Sequence, residues 1–120
     1  MDLNFFKQTR ILDGGMGQEL LARGMKPNGT LLSANAILDE NYHQLLQDTH
    51  RDFIKAGAEV IVTTTFTTRR KRLRENNIED KFEYLNIKAG EIAHKVKKEF
   101  PNVLIAGGLP PQELTYEADE

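Results

Sequence analysis

Short apolar runs alternate with longer amphipathic segments along the chain. Residues 10–13, 59–66 and 103–106 form the apolar runs, and each of them predicts a β-strand. The middle run is rich in β-branched residues and does not alternate, which is typical of a strand covered on both faces of a parallel sheet. The segments between the runs predict a loop at 25–35 and helices at 18–22, from Asp39 or Asn41 to 56, from Thr67 or Thr68 to 74, and at about 79–100.

This order of elements predicts an α/β fold in which parallel strands are covered by helices. The connections between parallel strands are expected to be right-handed. Glycines mark two of the expected helix ends, at Gly24 and Gly57. No linker or shift in composition divides residues 1–120, so we expect one domain without an internal boundary.

Composition and charge exclude several classes of partner and site. The chain has 120 residues, with 16 basic and 18 acidic side chains and a formal net charge of -2. This balance gives no reason to expect nucleic acid or an anionic membrane as a partner. No apolar run approaches the ~18 residues of a membrane span and the start lacks a secretory signal, so we expect a cytoplasmic protein. Cysteine is absent, which excludes a disulfide, a thiol nucleophile or a thiolate metal site within this sequence.

Residues 13–17, Asp-Gly-Gly-Met-Gly, are the first candidate site. Asp13 stands where a predicted strand ends, and ligands bind at the carboxyl ends of strands in parallel α/β sheets. The spacing is not that of a dinucleotide fingerprint, because Leu20 stands where a glycine is required. The structural alternative is a strand-to-helix turn in which Asp13 caps the helix.

A run of three threonines, Thr63, Thr64 and Thr65, ends the second predicted strand on the same side of the sheet as Asp13. Their hydroxyls are able to bind a polar ligand, although threonine is also common in strands for its β-propensity alone. The strand period of two places Thr63 and Thr65 on one face and Thr64 on the other.

The basic run and the histidines favour structural roles. Residues 69–72, Arg-Arg-Lys-Arg, are followed by acidic residues and are not interleaved with aromatic residues. This pattern favours a solvated helix face over a nucleic-acid site. His43 and His50 share a helix face but lie two turns apart, roughly 10 Å, which is too far for one metal ion. We expect them and His94 to be surface or helix-packing residues, with no metal site and no catalytic triad.

Four stretches, taken in order and spacing, resemble the N-terminal part of the homocysteine S-methyltransferase family. They are residues 11–20, 32–36, 50–61 and 105–111, and the resemblance spans nearly the whole chain. It implies a (β/α)8 barrel that transfers a methyl group to the sulfur of homocysteine, giving methionine. It also implies a zinc ion that holds the homocysteine thiolate, with cysteine ligands far downstream.

The end of the chain resembles the branch of the family that uses a sulfonium co-substrate as methyl donor, either S-methylmethionine or S-adenosylmethionine. The residues that carry this likeness are 109–111, Leu-Pro-Pro, followed by Thr115 and Tyr116.

The resemblance assigns roles to individual residues. Many members have asparagine where this chain has Thr64, tryptophan where it has Leu32, and small residues where it has the run at 69–72. The substrate-binding residues carried over are Asp13, which matches the aspartate that binds the homocysteine amino group, Gly14, which matches the neighbouring backbone contact, and Thr63 and Thr65, which match threonines that line the same pocket.

The length of the chain limits what it is expected to do. A complete (β/α)8 barrel takes about 250 residues, so residues 1–120 would supply its first three βα units, an incomplete barrel. We therefore expect a fragment that contributes substrate-binding residues, holds no zinc, is inactive alone and has a complementing C-terminal half as a possible partner. The alternatives are a self-contained small α/β domain that binds a metabolite or regulates without catalysis and, less favoured, an interaction module acting through residues 69–74.

Overall fold

The strands form a short parallel sheet in the computed structural model, which describes residues 2–111. Strand β1 (Val60–Val62) pairs in parallel with β2 (Leu104–Ala106), and Ile61 lies opposite Ile105. On the other side of β1, Leu12 forms an isolated parallel bridge with Val60. The predicted parallel arrangement is therefore confirmed, with β1 in the middle.

Helices pack against this sheet and, with the 3₁₀ turns, make up about half of the described residues. None of the helices within residues 2–111 is long and apolar enough to cross a membrane. Single 3₁₀ turns lie at Leu3–Lys7, Leu32–Ala34, Glu40–Tyr42 and Glu79–Lys81. The helices are α1 (Met16–Ala22), α2 (Asn35–Leu38), α3 (His43–Lys55), α4 (Arg70–Glu75) and α5 (Phe82–Lys97).

The first two strands are shorter than the sequence predicts. The predicted strand at 10–13 is reduced to the bridge at Leu12, because the next backbone donor on β1, Val62 N, binds Asp13 Oδ2 at 3.0 Å instead of a main-chain carbonyl. The predicted strand at 59–66 ends at Val62. Beyond that point Thr65 N donates to Thr63 O at 2.8 Å, which turns the chain away from the sheet.

Two helix ends confirm their sequence signals. Gly24 and Gly57 have positive φ angles of 103° and 122°, which favour glycine. At the end of α3 the Gly57 N–H donates to Ile54 O and the Ala58 N–H donates to Phe53 O, the pattern of a Schellman motif. Local sequence therefore sets where these helices stop.

Other helix boundaries differ from the predictions. Helix α1 begins at Met16, two residues before the predicted start. Neither Thr67 nor Thr68 caps α4, whose first flanking residue is Arg69 and which has no side-chain cap. Residues 25–35 were expected to be a loop, yet the 3₁₀ turn Leu32–Ala34 begins there and continues into α2.

The basic run is only in part the solvated face that the charge pattern predicts. Arg69 is only 6% exposed, and its Nη1 donates to Phe66 O. Arg72 is half-buried and donates from Nη1 to Thr30 O at 2.9 Å. Arg70 is exposed and stacks on the Phe82 ring at 4.1 Å. The run therefore packs α4 against neighbouring loops, a role that composition does not reveal.

The core has two parts. The sequence places an apolar stripe on one face of the helix predicted at about 79–100. The stripe is confirmed, because Leu85, Ala89, Ile92, Ala93 and Val96 are buried and Phe82 and Phe100 are half-buried. A smaller cluster under the sheet contains Ala58, Ile61, Ala93 and Val103. The larger cluster joins the helices and consists of Leu20, Met25, Leu31, Ala34, Ala36, Ile37, Leu46, Leu73, Leu85, Ala89 and Ile92.

Candidate functional site

A cavity of about 500 Å³ opens where the strands end. Its walls come from the turn that leads into α1, from the 3₁₀ turn at Leu32–Ala34 and from the chain that leaves β1. This is the carboxyl edge of the parallel strands, where ligands bind in α/β proteins. The lining residues are Asp13, Gly14, Gly15, Met16, Gly17, Gln18, Leu21, Leu32, Ser33, Val62, Thr63, Thr64 and Phe66.

Asp13 is the acidic residue in this lining. The Leu12 bridge brings the residue to the end of β1, and its Oδ2 accepts the Val62 N–H at 3.0 Å. Burial raises the pKa of the Asp13 carboxyl, and the Val62 hydrogen bond offsets part of that shift. The structural alternative, a helix cap by Asp13, is not found, because the residue before α1 is Gly15 and no side chain caps the helix. Asp13 is thus a half-buried acceptor beside the cavity, where it is able to bind a cationic group.

Gly14 lies next to Asp13 in the lining, at a position where a side chain would crowd a neighbouring ring. A Cβ atom at this residue would lie 3.0 Å from Cε1 of Phe53, a ring held by α3. The small residue therefore lets the backbone at the cavity pass close to α3.

Thr63 and Thr65 belong to a closed set of hydrogen bonds that joins the exits of the two strands. The Thr65 hydroxyl donates to Gly108 O at 2.9 Å, and the Gly108 N–H donates to Thr63 Oγ1 at 3.3 Å. The two hydroxyl oxygens lie 3.2 Å apart, so Thr63 is left to donate to Thr65. Thr63 lines the cavity, whereas Thr65 is outside its lining. Both hydroxyls therefore stabilise the loop after β2 in this structure.

Thr64 also lines the cavity, but its hydroxyl faces α3. Its Oγ1 lies 3.5 Å from Nε2 of His50, a residue of α3 that has no exposed surface. Burial lowers the pKa of the His50 imidazole to about 4, so the ring is neutral at neutral pH. The His50 Nδ1 atom has no hydrogen-bond partner within residues 2–111. This histidine is a helix-packing residue, one of the two roles that the sequence allowed.

The turn at Leu32–Ala34 contributes two lining residues that sequence reasoning did not assign to a site. Leu32 has a φ of 51°, which is unusual for a residue with a branched side chain, and it is 46% exposed at the cavity. Ser33 follows it and is 6% exposed. Their place in the cavity depends on a contact with Thr67, distant in sequence, so local pattern gave no signal for it.

The described residues do not form a metal site. Within residues 2–111 no group of three or more His, Asp or Glu side chains is placed to hold a metal ion, and the chain contains no cysteine. His43 Nε2 is bonded to Ile37 O at 2.7 Å and His94 Nδ1 to Gly90 O at 2.9 Å. The residues present therefore do not fit the zinc ion that the family resemblance implies.

A mixed α/β fold with a cavity at the carboxyl ends of parallel strands, lined by apolar residues and a few polar side chains, is typical of α/β proteins that bind small ligands. Residues 10–119 match the family described as homocysteine S-methyltransferase. The chain belongs to the homocysteine S-methyltransferase family. This confirms the resemblance on which the sequence-based roles depend.

Individual relatives support this assignment. The chain is 33% identical over 90 residues to homocysteine S-methyltransferase 2 of Saccharomyces cerevisiae, covering 68% of this chain and 28% of that protein. It is 32% identical over 109 residues to the S-methylmethionine–homocysteine S-methyltransferase BHMT2 of Rattus norvegicus, covering 90% of this chain and 28% of the relative. The metallated homocysteine methyltransferase MmuM from Escherichia coli superposes with a TM-score of 0.75 at 27% identity, covering 90% of this chain and 40% of that structure.

The chain spans a minor part of each of these proteins, from 28% of the two curated relatives to 40% of the solved structure. The matched part includes the cavity walls described above, since the family match begins at residue 10.

Proposed function

We propose that this chain is the N-terminal portion of a homocysteine S-methyltransferase that moves a methyl group from a sulfonium donor to homocysteine, giving methionine. The family match over residues 10–119 supports the reaction class. The similarity to a rat protein named for S-methylmethionine and homocysteine supports a sulfonium donor, either S-methylmethionine or S-adenosylmethionine. The similarity to MmuM supports a (β/α)8 barrel of which residues 1–120 form the first three βα units.

The observation that carries the proposal is the position of Asp13. A carboxylate at the end of a strand, bonded to the Val62 N–H and lining a cavity, offers an acceptor for the ammonium group of an amino acid. Gly14 follows it along the same wall and supplies backbone contact. Thr63 lines the cavity, and Thr65 acts through it by holding the loop at Gly108.

The residues described here do not provide ligands for the zinc ion of the family. The chain lacks cysteine and residues 2–111 hold no group of metal ligands, so we propose that the zinc ligands belong to residues beyond this sequence. The 120-residue chain would then bind homocysteine without transferring a methyl group, and a C-terminal half would complement it. A cytoplasmic location is part of the proposal, since a free thiol substrate persists in a reducing compartment.

Binding of L-homocysteine to the isolated chain tests the proposed site. Titration followed by amide chemical shifts should perturb signals around the cavity, and the Asp13→Asn variant should weaken binding by about tenfold because a charge-assisted hydrogen bond is lost. A titration that leaves the cavity signals unchanged, or that proceeds equally well with Asp13→Asn, would refute the assigned role.

A second experiment tests the reaction. The chain with homocysteine, a sulfonium donor and zinc should form no methionine alone. Co-expression with the portion of the Escherichia coli enzyme that lies beyond the matched region should give methionine formation that depends on Asp13. Methionine formed by the chain alone would contradict the proposal, and homocysteine binding that never leads to methionine in any such pairing would favour a self-contained binding domain.

A further inference from the structure

We propose that the Ser33 hydroxyl binds the carboxylate of the amino acid whose ammonium group pairs with Asp13. This inference rests on the proposed function and extends it, because it assigns the second charged group of the substrate to a residue of this chain.

The turn that carries Ser33 is fixed from both ends by one buried threonine. Thr67 Oγ1 accepts the Ala34 N–H at 3.1 Å and donates to Leu31 O. Leu32, between these contacts, has a φ of 51°. A leucine in the left-handed region costs free energy, and such conformations persist only where surrounding contacts impose them. The structure therefore holds Ser33 in a strained turn at the cavity.

The Ser33 hydroxyl has no partner inside the protein. Ser33 is 6% exposed and lines the cavity, yet its Oγ takes part in none of the hydrogen bonds made within residues 2–111. Its Oγ is also not among the side-chain atoms that are both sealed from solvent and unpartnered. The hydroxyl thus opens into the cavity, and the absence of a side chain at Gly17, which lies against Ser33, keeps that side of it free. A hydroxyl that opens into a cavity and has no partner in the protein is available to donate to a ligand.

The chemistry of the lining selects a carboxylate for Ser33. Among the residues 2–111 that form the cavity wall, none is basic, so an anionic group of the ligand has to be bound by neutral donors. The Thr63 hydroxyl is occupied by Thr65 and Gly108, and the Thr64 hydroxyl faces His50. Ser33 is then the lining hydroxyl that remains available. Asp13 as acceptor and Ser33 as donor together match the two ends of a zwitterionic amino acid.

Thermal unfolding tests whether the Ser33 hydroxyl lacks a partner inside the protein. Ser33→Ala removes a hydroxyl that satisfies nothing in the protein, so the thermal midpoint of the variant should equal or exceed that of the wild type. A clearly lower midpoint would mean that the hydroxyl has a structural partner and would overturn the proposal.

A cycle of ligands and variants tests the assignment itself. The probes are L-homocysteine, 3-aminopropane-1-thiol, which lacks the carboxylate, and 4-mercaptobutanoic acid, which lacks the ammonium group. Ser33→Ala should weaken homocysteine and the mercapto acid by about tenfold and leave the aminothiol unchanged. Asp13→Asn should show the opposite selectivity between the two truncated ligands.

The outcomes separate the two proposals. If homocysteine binds and responds to Asp13→Asn while Ser33→Ala has no effect, or weakens the aminothiol equally, this inference fails and the proposed function stands. A carboxylate-dependent loss in Gln18→Ala instead of Ser33→Ala would likewise overturn it, because Gln18 also lines the cavity. If none of the three probes binds, the proposed homocysteine site fails and this inference fails with it.

Discussion

Replacement of Asp13 by alanine or by asparagine separates the two physical roles of its carboxylate. Asp13 Oδ2 accepts the Val62 N–H at 3.0 Å, and this contact stands in the place of the next main-chain bond of the sheet. Alanine removes the acceptor. Asparagine keeps an oxygen at the same position and removes only the charge. We therefore expect the two variants to differ in their free energies of unfolding.

The magnitude follows from the group that each variant leaves behind. Asp13→Ala leaves the Val62 N–H without its partner, which costs about 1–3 kcal/mol when such a group stays unsatisfied. Val62 lines the cavity and is only half-buried, so we expect about 1–2 kcal/mol, or roughly 4–8 °C in the melting temperature for a chain of this length. Asp13→Asn should be as stable as the wild type, or more stable, at neutral pH.

The pH dependence has a definite sign. Burial raises the pKa of Asp13 above its ordinary value of 3.8, so the folded chain binds this proton more tightly than the unfolded chain does. The carboxyl therefore lowers the stability of the wild type as the pH rises from that value through the raised pKa. The asparagine variant lacks this effect, and its advantage over the wild type should be greatest at neutral pH and vanish near pH 3.8.

Urea unfolding followed by far-ultraviolet circular dichroism gives these free energies, since the chain has no tryptophan to report by fluorescence. Comparison of variants at the same pH cancels the titration of the other carboxylates. If asparagine destabilises the chain as much as alanine at neutral pH, the acceptor role is wrong. If the advantage of asparagine does not shrink on acidification, the assigned cause of the pKa shift is wrong.

Three further substitutions test the walls of the cavity, each by thermal unfolding against a matched control. Gly14→Ala should cost about 1–3 kcal/mol because its Cβ would lie 3.0 Å from the Phe53 ring. Its control, Gly90→Ala, has open space around it inside α5 and should stabilise the chain. Equal effects of the two substitutions would contradict the steric argument. Thr67→Val should cost about 1–3 kcal/mol through the loss of two hydrogen bonds to the turn before α2, and Thr67→Ser should cost less; the reverse order would refute the hydroxyl's role. Leu32→Gly should be about 1 kcal/mol more stable than Leu32→Ala, since only glycine relieves the φ of 51°; no difference would show that the turn is unstrained.

The sequence predicts the order of the elements well because that order depends on local patterns. The β-branched run identifies β1, whose Val60 and Ile61 are buried, and the stripe on α5 identifies its buried face. The lengths of the strands are not predictable in the same way. The Asp13 side chain accepts the Val62 N–H and so ends one strand pairing. Side-chain and main-chain acceptors compete for this N–H, and only the folded structure shows which of them binds it.

The packing of the basic run, residues 69–72, is likewise not predictable from the sequence alone. Charge alone favours exposure, but a guanidinium also covers apolar surface with its stem and donates to several carbonyls. Arg69 donates to the main-chain carbonyl of Phe66, and Arg72 donates to that of Thr30. The Arg72 contact joins parts of the chain that are far apart in sequence, so a local charge pattern does not predict it.

Within the candidate site, the sequence predicts which residues follow a strand, but it does not predict which hydroxyls are free to bind a ligand. Asp13 and the threonines could be selected because each follows a strand in a parallel arrangement. Which hydroxyls are free for a ligand depends on the hydrogen bonds that they already make. Thr63 and Thr65 are bound to each other and to Gly108, so we expect their substitution to loosen the loop after β2 before it affects any ligand contact. Ser33 has no such bond, and for that reason the more informative residue for substrate recognition is one that the sequence did not single out.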